Sequence, residues 1–209
     1  MEPYVVRSGD HLLALAHRLG FDADTVWNDP KNAALKALRG SPHILSPGDV
    51  LYVPPAPEPK WLKPTIGGVN SYVASVPRVK VSLTFMQAGK PVANAACLLR
   101  GLPPPADKAT TDGDGKLEVS VPVTMKLLAI EIPALSIFRV MRIGDLDPVD
   151  TPSGMRQRLR NLGHLSDGGA NDDEAVAVAL ADFQRSQTIE PSGTFDDATR
   201  KQLETSHGC

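Results

Sequence analysis

Five histidines are the first residues to test for chemistry: His11, His17, His43, His164 and His207. No two stand at HxH or HExxH spacing, so the chain offers no local ligand pair for a catalytic zinc. Cys97 lies in the apolar run Ala95-Ala96-Cys97-Leu98-Leu99, where a thiol reads as a small buried hydrophobe rather than a nucleophile. The other cysteine, Cys209, is the last residue, and two cysteines so far apart make no disulfide framework. Asp112-Gly113-Asp114-Gly115 starts like a calcium loop. Lys116 and Leu117 do not continue it toward the terminal glutamate such a loop needs, so a hairpin turn is expected. The pairs Asp172-Asp173 and Asp196-Asp197 stand at expected helix starts, where acids complement the dipole. That placement is preferred over acid–base catalysis. No catalytic residue, metal or cofactor is therefore expected, and the chain does not read as an enzyme.

Two tryptophans leave alternatives open. Trp27 either stacks on a sugar or packs into a core with Val26. Trp61 sits between Lys60 and Leu62 in a proline-rich stretch, where it either packs on a neighbouring domain or anchors a partner. Arg156, Arg158 and Arg160 alternate along one helix and are expected to form a solvated rim.

These residues must be positioned by a punctuated chain. Prolines number 19 and glycines 17 in 209 residues, which argues against one compact helical domain. At 42% hydrophobic the chain still has material for a core, so general disorder is not expected. A net charge of −2 gives no electrostatic footprint for nucleic acid. No apolar run approaches the ~18 residues of a membrane span. Met1-Glu2-Pro3-Tyr4-Val5-Val6-Arg7 has neither a basic n-region nor an apolar h-region, so synthesis in the cytoplasm without a recognisable signal peptide is expected.

Proline clusters at 54–59 and 148–152 suggest three small domains: 1–55, 76–135 and 153–209, with linkers 56–75 and 136–152. In the first, Tyr4-Val5-Val6 reads as a strand, and Asp10 as the cap of a helix carrying Leu12, Leu15, Ala16 and Leu19, stopped by Gly20. Asp22 or Asp24 caps a second helix, and Val50-Leu51-Tyr52-Val53 closes the unit as a strand. The second alternates apolar and polar residues from Val79 to Phe85 and again from Leu117 to Val121, as a small antiparallel β-sandwich does. In the third, Met155, Leu159 and Leu162, then Val176, Leu180 and Phe183, then Leu203 on a helix capped by Asp196, predict a three-helix bundle. The fold class is multidomain α+β.

The N-terminal order βααβ, with Tyr4-Val5-Val6-Arg7-Ser8-Gly9-Asp10-His11-Leu12 at one end and Leu45-Ser46-Pro47-Gly48-Asp49-Val50-Leu51-Tyr52-Val53-Pro54 at the other, resembles the LysM domain. That resemblance implies a non-catalytic fold binding N-acetylglucosamine glycans such as peptidoglycan. It places the groove on Gly9, Asp10, His11 and Leu12 from one loop, and Asn28, Asp29, Pro30 and Leu45 from the other. His11 stands where the family usually has Thr. The C-terminal series, from Leu159-Arg160-Asn161-Leu162-Gly163-His164 through Val176–Gln184 to Gly193-Thr194-Phe195-Asp196-Asp197-Ala198-Thr199, resembles the three-helix peptidoglycan-binding domain appended to cell-wall hydrolases. This implies a second wall-binding surface at Gly163, His164, Phe183 and Gln184. The turn Thr110–Leu117 resembles that of bacterial Ig-like or carboxypeptidase-regulatory-like spacers.

Two wall-binding modules around a spacer imply cell-wall targeting by avidity, the partner being peptidoglycan. The long second loop, from Pro30 to Asp49, resembles loops of LysM proteins associated with type VI secretion spikes. That implies an alternative: an adaptor or accessory of a contractile injection spike, with a spike or effector protein as partner and Trp61 as anchor. The expected place of action is the periplasm and cell wall, or an injection apparatus.

Overall fold

The computed structural model describes residues 1–58, 63–72, 75–87, 89–166 and 172–208. Three regions follow one another: an N-terminal βααβ unit, central antiparallel sheets and three C-terminal helices.

In the N-terminal unit, β1 (Glu2–Val5) pairs antiparallel with β2 (Val50–Val53), Tyr4 opposite Leu51. Between them lie α1 (Leu12–Leu19), α2 (Ala23–Trp27) and α3 (Ala33–Arg39). The apolar period of α1 puts Leu12 and Leu15 into a core with Val26, Trp27, Leu45 and Leu51, so Trp27 packs rather than presenting a sugar platform. Gly20 ends α1 in the left-handed region, and the Asp22 carboxylate caps α2 through the Thr25 amide. Asp10 does not cap α1 as expected. His11 holds the cap position, and the Asp10 carboxylate instead accepts from the Tyr4 hydroxyl (2.7 Å) and the Arg7 amide (3.0 Å). A buried asparagine that the sequence did not single out ties the unit together. Asn32 donates to the Val26 and Tyr52 carbonyls and accepts from the Tyr52 amide, joining the helical segment to β2.

The central region pairs β3 (Arg78–Thr84) with β8 (Lys116–Pro122) along seven residues. A short hairpin joins β4 (Met86–Gln87) and β5 (Lys90–Pro91). The larger sheet has the order β10-β9-β6-β7, from β6 (Ala96–Arg100), β7 (Lys108–Thr110), β9 (Leu127–Ile132) and β10 (Ile137–Arg142). Leu117, Val119 and Val121 of β8 share one core with Cys97, Leu99, Leu128 and Ile130 of the larger sheet. Alternation does this: every second residue faces inward. The Asp112 carboxylate accepts from the amides of Asp114 and Lys116, which builds the tight turn ahead of β8.

The stretch 136–152, expected as a linker, is not one. Its first part is β10. Its second docks on α4 (Pro152–Asn161) through polar contacts that no apolar period announces. Gln157 accepts from the Asp147 amide and donates to the Asp145 carbonyl, and Arg158 donates to the Asp147 carbonyl at 2.8 Å. A Cβ on Gly154 would lie 1.9 Å from the Pro148 carbonyl oxygen, so this approach requires glycine. Arg158 is fully buried, which corrects its expected place on a solvated rim. Its guanidinium is stabilised there by the carbonyls of Asp147 and Gly154, which replace lost water.

Helices α4, α5 (Asp173–Ser186) and α6 (Asp197–His207) enclose Leu159, Val176, Leu180, Phe183 and Leu203, with Val149 added from the docked segment. Thr151, Asp172 and Asp196 cap the three helices with side-chain oxygens. No helix among the described residues is long and apolar enough to cross a membrane.

Candidate functional site

The two loops implied as a glycan groove in the N-terminal unit have different fates. Asp10, His11, Leu12 and Leu45 are buried. The loop at Gly9 is pressed against the central region. Lys126 Nζ donates to the Gly9 carbonyl at 2.6 Å, and Gly144 lies against the His11 ring so closely that a Cβ there would sit 2.6 Å from Cδ2. On its other side the Leu12 amide donates to the Pro42 carbonyl, so the long second loop touches α1 at Pro42. Asn28, Asp29 and Pro30 are occupied elsewhere. Asn28 donates to the Asp24 carbonyl and accepts from Lys36 Nζ, and the Asp29 carboxylate caps the 3-10 turn that Pro30 opens.

Electrostatics follow this packing. Burial pushes the His11 imidazole down to about 4, helped by the cationic Lys126 and by His43. A neutral ring is what fits there. Burial works to raise the Asp10 carboxyl, but the bonds from Tyr4 and Arg7 and the charge of Arg18 hold it below its ordinary value. Arg18 reaches Asp10 at 3.2 Å, so the loop is fixed from inside the unit as well.

Among the described residues the C-terminal candidate is open. A cleft of about 620 Å³ lies between the end of α4 and the first turns of α5. Gly163, His164 and Leu165 line it from one side, with the apolar Val178 and Ala179 and the carboxylate of Glu174 from α5. His164 Nδ1 is 2.7 Å from the Asp182 carboxylate, and its ring meets Phe183 edge-on at 5.5 Å between centroids. Asp182 therefore fixes the imidazole and Phe183 supports it from below. Phe183 and Gln184 themselves are fully buried and belong to no binding surface. Gln184 is a staple: its Nε2 donates to the Thr194 carbonyl and Thr199 hydroxyl, and its Oε1 accepts from the Gly193 amide. Both residues are placed at a surface by the family resemblance alone. Their helical phase with Val176 and Leu180 points them inward.

Trp61 lies outside the described residues. Its neighbourhood holds a feature that sequence reasoning missed. Asn70 accepts from the Thr65 amide and donates to the Thr65 and Gly68 carbonyls, closing a loop that presents Ile66 and Val69, 99% and 101% exposed. A second cavity, about 760 Å³, opens between the N-terminal unit and the helices, with Arg39, His43, Asp150 and Glu204 in its lining. Arg39 forms a bidentate pair with Asp49 at 2.8 Å and reaches Asp150 at 3.8 Å, a polar bridge between the two regions.

Cys97 is buried, and burial raises its thiol above the ordinary value, away from nucleophilic use. Among the described residues no group of three or more His, Cys, Asp or Glu is placed to hold a metal. Comparison of the chain with protein-family models, with curated proteins and with solved structures returns no match.

Proposed function

We propose that this is a non-catalytic peptidoglycan-binding protein, in which the C-terminal helical unit makes the primary wall contact. The open cleft beside His164 is the observation that carries this reading. Its apolar lining suits the acetyl methyl and sugar face of an N-acetylglucosamine unit. His164 and the Glu174 carboxylate suit hydroxyl and amide groups, in the usual mix of apolar lining and few polar groups. The resemblances of the N-terminal unit to LysM and of the C-terminal unit to wall-binding bundles support the same substrate. On this reading the N-terminal loop at Gly9 contributes only after it leaves the central region, because its residues are covered.

The test is co-sedimentation of the full chain with purified sacculi. The native chain should pellet. Val178→Arg, at an exposed position of the cleft lining, should release it to the supernatant. A native chain that stays in the supernatant sinks the proposal, and clearing of sacculus turbidity sinks its non-catalytic part.

The stapled loop with exposed Ile66 and Val69 favours a second reading, that of an adaptor to a secretion spike or effector protein. Two fully exposed aliphatic side chains on an ordered turn suit a protein partner. Co-purification with such a partner, lost in an Ile66→Asp, Val69→Asp double variant, distinguishes this reading. Co-purification unchanged in that variant removes the loop from it.

A further inference from the structure

The order β10-β9-β6-β7 leaves β10 at the edge of its sheet. Its register fixes which backbone groups are spent. The Ile143 amide donates to the carbonyl of Lys126 at 2.9 Å, and these two residues continue the β10–β9 register. The ladder alternates from that pair, so Met141, Arg139 and Ile137 exchange bonds with β9. Phe138, Val140 and Arg142 turn their amides and carbonyls outward. Among the described residues no other strand pairs with them.

Side chains at the same positions are unusual for an edge. Phe138 and Val140 are 54% and 56% exposed, on the sheet face away from the core that Ile137 and Met141 join. Leu127, equally exposed, stands opposite Arg142 on that face. Arg139 has the inward parity of Ile137 and Met141 and yet is exposed, and among the described residues its hydrogen-bond partner is the Phe138 carbonyl of its own strand. An inward-parity charge keeps an edge from pairing with a plain apolar strand.

We propose that β10 is a docking edge for an extended segment of a partner protein in which acidic and apolar residues alternate. Such a segment would add as a fifth strand. Its backbone would take the free amides of Val140 and Arg142, its apolar residues would cover Phe138 and Val140, and its acids would face Arg139. Charge selects this occupant over a second copy. Two antiparallel β10 strands side by side in overlapping register would bring their two Arg139 cations opposite or diagonal to each other. An acid is already accepted at this end, since Arg142 holds Asp145 at 3.6 Å.

The probe is a fluorescein-labelled peptide of alternating Asp and Val, about eight residues long to match a strand, read by anisotropy against the full chain. Its Lys–Val counterpart is the control. The acidic peptide should bind about tenfold more tightly than the basic one and weaken as salt rises. Val140→Pro removes an amide the ladder does not use, so circular dichroism should be unchanged while acidic-peptide affinity falls about tenfold. Arg139→Glu should reverse the preference between the peptides. Equal binding of both peptides, or acidic-peptide binding indifferent to both variants, overturns the proposal. So does a dimer in sedimentation velocity that Val140→Pro dissolves, because the occupant is then a second copy.

Discussion

The loop at Gly9–Leu12 and the surface at Gly163 and His164 are both implied as wall-binding sites, and they differ in what covers them. The first is closed by a lysine from the connection before β9 and a glycine pressed on its histidine. The second is closed by nothing among the described residues, and its histidine is held from one side by Asp182 and from below by Phe183. A histidine thus serves opposite ends. His11 is a buried spacer at a contact between regions, whereas His164 lines the cleft and is only 17% exposed at its side chain because its support is close. A matching motif sets local shape. Access depends on what the rest of the chain packs against that motif.

The comparison can be broken most severely at its open end. Phe183→Ala removes a fully buried ring and the edge-on contact that supports His164, and should cost about 3–5 kcal/mol in urea unfolding. An effect under about 1 kcal/mol would mean the bundle does not depend on this support. The closed end is broken at Gly144, whose φ is +74°. Gly144→Val combines a strained backbone with a clash on His11 and should cost about 1–3 kcal/mol. Hydrogen exchange should then rise at Gly9 to Leu12 and stay unchanged at Val178 and Ala179.

Acid should loosen the same contact. The His11 pKa is depressed in the folded chain, from an ordinary 6.5 to about 4, so the unfolded chain binds the extra proton between those values. Stability from this group is fully present above about pH 6.5 and is lost as the pH falls through 4, by about 3 kcal/mol. His11→Gln should flatten that slope in a pH series of melting curves, and an unaltered slope would assign it to other groups. The smallest effect belongs to the exposed pair at the cleft. Asp182→Asn should change stability by less than about 1 kcal/mol. It should still weaken sacculus binding, since His164 then loses the partner that orients it. Binding unchanged would remove His164 from the cleft's recognition groups.

Much of the fold was legible because apolar period and punctuation agreed. Leu12, Leu15 and Leu19 with Gly20, the alternation in β8, and the caps at Asp22 and Asp196 all lie where pattern put them. The failures share a cause. Arg158, Gln184, Asn32 and Gly154 act through polar bonds to backbone or through a missing side chain, and neither leaves a hydrophobic period to read. The acidic stretch before α4 looked like a linker because its anchors, Gln157 and Arg158, lie on the next element. Of the four residues the resemblance implies at the second surface, Gly163 and His164 line the cleft and Phe183 and Gln184 do not. The burial of Phe183 could have been taken from its spacing to Val176 and Leu180. The cover on Gly9 could not, since it comes from Lys126 and Gly144, more than a hundred residues away in sequence.

The most direct measurement is an amide chemical-shift titration of the full ¹⁵N-labelled chain with a soluble N-acetylglucosamine-containing glycan fragment of peptidoglycan. Shifts are expected at Gly163, His164, Val178 and Ala179, with Gly9 to Leu12 silent at neutral pH. Shifts at Gly9 to Leu12 with a silent cleft would contradict this, and so would a spectrum that does not move at all.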